Sequence, residues 1–290
     1  MKSILMFTLT GHALMVSGSV LFQAVNSAGY GDLHFWGSFL RVILNFILTL
    51  MLYFWPRYHL PSAHILGFHK KYLLVWGVLG SLTIFYYFKS LNTVGVGVSG
   101  FLLSCNGAIL VLMSACIKKS RTGFMQLMMA VLCLLGSMLL GLDLKSPSEV
   151  SGITDGIIAA FCAATAYLLT AQKLARESAL SLMFYWSVSG LLIHFLRWPE
   201  DELLPPLGFS PMGFLVCAGF SASLGQFLLI RSYQIAQSSL SGILSYSSAI
   251  FGVIAEFFIF DQILSGVQLM GVLTILVSNL WVLFNQKWCK

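Results

Sequence analysis

The chain has 290 residues, 58% of them hydrophobic and only 9% charged, with a mean hydropathy of +0.88 and a formal net charge of +6. A globular domain carries about 25% charged residues. The composition therefore excludes a soluble enzyme, a disordered chain and a protein that grips nucleic acid in a basic groove, and leaves an all-α integral membrane protein with the lipid bilayer as its surroundings.

A helix rising ~1.5 Å per residue needs about 20 apolar residues to cross ~30 Å of hydrocarbon. Ten runs of roughly that length follow one another, at about 4–25, 34–54, 71–90, 95–117, 123–141, 153–171, 181–196, 212–230, 239–259 and 266–285. The first is too long for a signal-peptide core and reads as a retained span. It carries His12 and, at mid-depth, Gln23. The second holds Arg41, whose insertion at the bilayer centre costs about 2.5–3.5 kcal/mol. Arg41 reads either as a substrate or gate contact, or as a structural group tying its helix to neighbouring carbonyls or an acid. The connection 55–70 holds His59, His64 and His69, a spacing that could serve a metal only if the rings converged.

Span 3 brings Trp76, Tyr86 and Tyr87 and ends near Lys89; span 4 opens on Gly95, Gly97, Ser99 and Gly100 and carries Ser104 and Asn106 at mid-depth. Span 6 contributes Tyr167, span 7 His194, and span 8 Gln226, with Arg231 at its end. Span 9 opens on Ser238, Ser239, Ser241 and Gly242, continues through Tyr246, Ser247 and Ser248, and reaches Glu256 in its outer part. The small-residue openings of spans 4 and 9 let helices approach, bend or slide. The seven prolines all fall in or beside connections, as expected where a lost backbone hydrogen bond cannot be replaced by water. The six cysteines stand singly in apolar surroundings with no CxxC, and read as packing residues.

With the N-terminus placed inside, twelve Lys and Arg fall on the inner side and three (Lys89, Lys145, Arg197) outside, while Arg41 lies within a span. The acids do the reverse, and Glu177 is the one acid inside. This asymmetry fits the positive-inside rule and places both termini in the cytoplasm.

A shift of 142 residues lays Lys89-Ser90-Leu91-Asn92 on Arg231-Ser232-Tyr233-Gln234, Ser99-Gly100 on Ser241-Gly242, and Gln126-Leu127-Met128 on Gln268-Leu269-Met270. Each half, 1–145 and 146–290, then holds five spans. Because five is odd, the halves enter the membrane from opposite sides, giving two inverted five-helix repeats. Together with Phe35-Trp36-Gly37-Ser38-Phe39-Leu40-Arg41 and the closing pattern Phe257-Phe258-Ile259-Phe260-Asp261, then Gln268-Leu269-Met270-Gly271, this resembles the drug/metabolite transporter superfamily in its ten-span EamA-like branch. The chain departs from it at Lys118-Lys119, where an acid is usual, and at Asn106 and Ser248, where a proline is usual.

The resemblance implies a secondary transporter in a bacterial inner (plasma) membrane, working by alternating access, with spans 1, 3, 4, 6, 8 and 9 around a central cavity. Substrate-binding expectations fall on Gln23, Tyr86, Tyr87, Asn106, Tyr167, Gln226, Tyr246 and Ser248. Gating or coupling expectations fall on Arg41, Lys89, Gly97, Arg231, Ser239 and Glu256. The sequence shows no P-loop, Rossmann glycine pattern, HExxH or GxSxG. No cofactor, metal or nucleic acid is expected. The partners are a small polar metabolite (an amino acid or a nucleoside-like compound such as S-adenosylmethionine) and a proton or counter-substrate, with the chain acting as a monomer or homodimer. A membrane-embedded lipid-modifying enzyme and a channel are the alternatives.

Overall fold

A computed structural model describes residues 2–28, 33–54, 65–115, 124–140, 147–198, 208–235, 247–261 and 265–284. All regular structure among them is helical: α1 (Lys2–Ser27), α2 (His34–Phe54), α3 (Lys70–Ser104), α4 (Asn106–Ala115), α5 (Phe124–Leu140), α6 (Pro147–Gln172), α7 (Ala179–Leu196), α8 (Phe209–Ile235), α9 (Ser247–Ile259) and α10 (Gly266–Phe284). Among the described residues, six apolar helical stretches are long enough to cross a membrane: Met6–Ser27, His34–Phe54, Lys70–Ser114, Pro147–Gln172, Ala179–Leu196 and Phe209–Ile235.

The boundary expected between spans 3 and 4 is not a loop. Helical structure runs on through α3, broken only at Gly95 (φ 80°, ψ 178°), and a small turn at Cys105 leads into α4. The chain nevertheless reverses at Gly95. A Cβ placed on Gly156 of α6 would lie 2.7 Å from Leu102 and 3.0 Å from Ser90, two residues that a straight helix would hold about 18 Å apart. Only glycine enters this backbone region without strain. Pro147 and Pro211 sit in the first turns of α6 and α8, where a missing N–H costs nothing.

α1 packs along α8 and α3 along α6, with α2 against α7 and α5 against α10; α3 also meets α7, and α2 meets α8. Outward faces carry Met51, Phe54, Leu192, Phe195, Phe214 and Phe258, all exposed, while Arg41, Asn45, Thr49, Ser81 and Ser187 are buried. This apolar exterior around a polar interior suits a surrounding of lipid. It describes a multi-pass membrane protein.

Glycines set the closest helix approach. A Cβ on Gly225 of α8 would lie 2.6 Å from the Gly11 carbonyl oxygen of α1. Backbone cannot yield as a side chain can, so Gly225→Val is expected to lower stability by about 1–3 kcal/mol through forced helix separation, seen as a lower melting temperature in detergent.

Candidate functional site

The buried polar groups gather where α1, α2, α3, α6, α7 and α8 meet. Arg41, on α2, is 2% exposed; its Nη2 donates to Met15 Sδ at 3.1 Å, and its Cζ lies 5.6 Å from the centre of the Trp186 ring. The Tyr87 and Tyr167 hydroxyls stand within electrostatic range of it. Tyr87 shares a hydrogen bond with Ser19 at 2.9 Å, Tyr167 is hydrogen-bonded to Gln226, and the Tyr167 ring stacks on Tyr233 at 4.0 Å. Two cavities flank Arg41. One, of ≈ 30 Å³, is lined by Met15, Trp76, Thr83, Tyr167, Trp186 and Gln226 among others. The other, of ≈ 10 Å³, is bordered by Arg41 with Ser19, Phe22, Gly37 and Phe88. A water needs roughly 10–15 Å³ by this measure, so the larger space admits about two waters and no metabolite. Neither of these two spaces has room for a substrate.

Four of the sequence-based expectations meet at this centre: Arg41, Tyr87, Tyr167 and Gln226. Tyr86 is half-buried beside Phe85, and Gln23, on α1, has a buried Oε1 without a partner; neither lines the two cavities. Ser248 hydrogen-bonds Ser104 at 2.9 Å, with Gly100 close by; Asn106 is buried at the start of α4. Ser248 thus lies along the contact of spans 4 and 9, and neither residue lines the two cavities. Gly97 packs there against Gly252, whose added Cβ would lie 3.5 Å from the Gly97 Cα. Lys89 reaches Asp155 at 3.4 Å, whereas Arg231 lies over Phe227, 5.8 Å from the ring centre. Tyr246 and Ser239 lie outside the described residues, as do His59 and His64; Glu256 is on α9.

Three arrangements were not anticipated. Asn45 of α2 donates to Ser187 of α7 at 2.6 Å. His194 donates from Nδ1 to the Gly190 carbonyl at 2.8 Å, since a carbonyl only accepts, and its Nε2 meets Ser38 at 2.8 Å. The third is a latch on Glu177, between α6 and α7. Its carboxylate accepts the Phe68 N–H (3.0 Å), the His69 N–H (2.8 Å) and the His69 Nδ1–H (2.8 Å), just ahead of α3. Gln234, on α8, donates to the Glu177 carbonyl at 2.7 Å, and the Tyr185 hydroxyl donates to the Leu66 carbonyl at 3.2 Å. Burial alone would raise the Glu177 pKa, but the Phe68 and His69 hydrogen bonds outweigh it and hold the carboxyl below its ordinary value of 4.5. The sequence signal was the isolation of Glu177 among basic residues. Among the described residues no group of three or more His, Cys, Asp or Glu is placed to hold a metal.

The model of the EamA-like transporter family matches residues 3–142 and 150–284. An uncharacterized transporter of Helicobacter pylori (strain ATCC 700392 / 26695) is 23% identical over 84% of this chain and 83% of its own. An S-adenosylmethionine uptake transporter of Rickettsia felis is 24% identical over 45% of this chain and 44% of its own, so the similarity spans under half of that relative. A solved crystal structure superposes with a TM-score of 0.70 at 18% identity, over 97% of this chain and 98% of the other, and shares its fold.

Proposed function

The chain belongs to the EamA-like transporter family, and from that premise we propose that it is a secondary carrier of small polar metabolites working by alternating access. The observation that carries the reading is the buried cluster of Arg41, Tyr87, Tyr167, Trp186 and Gln226, drawn from both halves of the chain, with Tyr167, Trp186 and Gln226 lining a cavity beside Arg41. The family and relatives are named as transporters, which speaks for carriage rather than chemistry.

Ten spans in two inverted repeats, 1–145 and 146–290, accompany the proposal. Several pairings support them. Exchanging the halves turns the α1–α8 contact into the contact of α6 with α3, and the α3–α7 contact into that of α8 with α2. Asn45 and Ser187, hydrogen-bonded across α2 and α7, are separated by 142 residues, the shift that aligns the two halves. Such a repeat supplies two similar states by exchanging the roles of its halves. Both ends would then lie in the cytoplasm beneath a bacterial inner membrane. In the arrangement described, the Lys89–Asp155 pair would tie the outer side and the Glu177 latch the inner side. Gly97, Ser239, Arg231 and Glu256 remain proposed gating or coupling positions, and Asn106, Ser248, Tyr246, Gln23 and Tyr86 proposed contacts of an opened cavity.

An aromatic and amide lining suits amino acids and nucleoside-like metabolites, S-adenosylmethionine among them. Purified protein in liposomes preloaded with unlabelled S-adenosylmethionine or an amino-acid mixture should show saturable counterflow of the labelled compound. Flux that rises without saturation would mean a channel. Labelling of Ser120→Cys from the inner face alone is the accompanying topological expectation, and labelling from the outer face alone would sink the ten-span arrangement.

A further inference from the structure

Arg41 is a buried cation to which the described residues supply no anion. Its contacts are the Met15 thioether and the Trp186 ring face, and its Nε has no partner. Among the described residues the ion pairs are Lys89–Asp155 and His69–Glu177, neither of which involves Arg41. No described residue thus supplies the acid that a purely structural arginine would need. A thioether and an indole face are weak partners for a full charge withdrawn from water. An uncompensated buried charge costs several kcal/mol, so stability does not account for a guanidinium here. Its neighbours are neutral groups able to donate to an anion: Tyr87, held by Ser19, and Tyr167, held by Gln226.

We propose that Arg41 is the anion-recognition group of the central site, and that the transported compound presents a carboxylate to it. The charge count favours a carboxylate over a phosphate. One guanidinium balances one negative charge, and its planar fork matches the two oxygens of a carboxylate. The remainder of the compound would lie against Trp76, Trp186 and Tyr167, which line the adjoining cavity, so an aromatic or heteroaromatic body suits the site. This assignment rests on the carrier reading for its biological meaning, but its physical content is testable by binding alone.

The test is thermal stabilisation of the purified full chain in detergent. The probes are benzoate, indole-3-acetate and phenylalanine, each against its primary amide, with phenyl phosphate as a further arm. Wild-type protein should be stabilised by the carboxylates at concentrations at least tenfold below those needed for the amides. Arg41→Met should abolish that preference, while melting without ligand at or above the wild-type temperature; Arg41→Lys should keep part of it. The proposal is overturned if acid and amide stabilise equally, if no probe stabilises, if Arg41→Met keeps the preference, or if Arg41→Met without ligand melts well below wild type, which would mark a structural arginine. Stronger stabilisation by phenyl phosphate than by benzoate would overturn the carboxylate assignment. Liposome counterflow is scored separately: its absence beside an intact carboxylate preference would sink the carrier reading and leave the anion site standing.

Discussion

Glu177→Ala is expected to loosen the face on which α3 begins more than any other single change there. The wild-type carboxylate is 4% exposed as a residue and gathers the Phe68 and His69 amides and the His69 ring, while the backbone of the same residue is held by Gln234 of α8. The side chain thus joins the connection before α3 to the turn between α6 and α7, while the backbone carbonyl of the same residue joins that turn to α8. Removing it strands several donors, and His69, half exposed, recovers part of the loss from water. The net cost should be about 2–3 kcal/mol, read as a lower melting temperature in detergent. Because the folded pKa is depressed, the contribution is fully present above the unfolded value and is lost as pH falls through the folded one. Wild type should therefore lose stability relative to Glu177→Ala on acidification below about pH 4.5, the ordinary value for the group. The two melting curves should converge there. Leu174, buried beside the latch, supplies a conformational reporter: Leu174→Cys should react with a thiol reagent faster in the Glu177→Ala background. Equal rates would mean that the latch does not hold this face shut.

Hydropathy sufficed for the helices because it reports a physical requirement, the length of apolar chain that crosses hydrocarbon. The run read at 34–54 is α2, His34–Phe54, to the residue. The connection between spans 3 and 4 was harder, since a helical hairpin closed on one glycine has no polar stretch to interrupt the apolar run. Its signal is Gly95 itself, the residue type that a positive φ demands. Partners across helices were beyond reach. Ser38 and His194, or Glu177 and Phe68, lie more than a hundred residues apart in the chain, and periodicity tells which face of a helix is buried, never against what. A shift of 142 residues pairs Asn106 with Ser248, whereas the larger described cavity is lined by Tyr167, Gln226 and Trp186 from α6, α8 and α7 among others. For Arg41 the sequence left a structural and a functional role open, and among the described residues no acid is paired with it.

Gln226→Leu should reduce counterflow at least tenfold, and a second substitution tells why. Gln226 is 7% exposed and hydrogen-bonds Tyr167 beside the cavity. Leucine has nearly the same volume, so the packing of α8 survives, but the Tyr167 hydroxyl loses its partner in a space with room for about two waters. The single variant should therefore melt lower as well as transport less. Adding Tyr167→Phe removes the stranded hydroxyl while keeping the ring on Tyr233. Deleting both partners of a buried hydrogen bond can be nearly neutral where deleting one is not, so the double variant should recover most of the lost stability. Transport should stay low, because a hydrogen bond to a charged group of the substrate contributes about 1.5–3 kcal/mol, and every 1.4 kcal/mol is roughly tenfold. Stability and counterflow returning together in the double variant would make Gln226 and Tyr167 a packing pair and remove them from the path of the substrate. Stability returning alone would place them on it, because the only difference left between the double variant and the wild type is the polarity of the cavity wall.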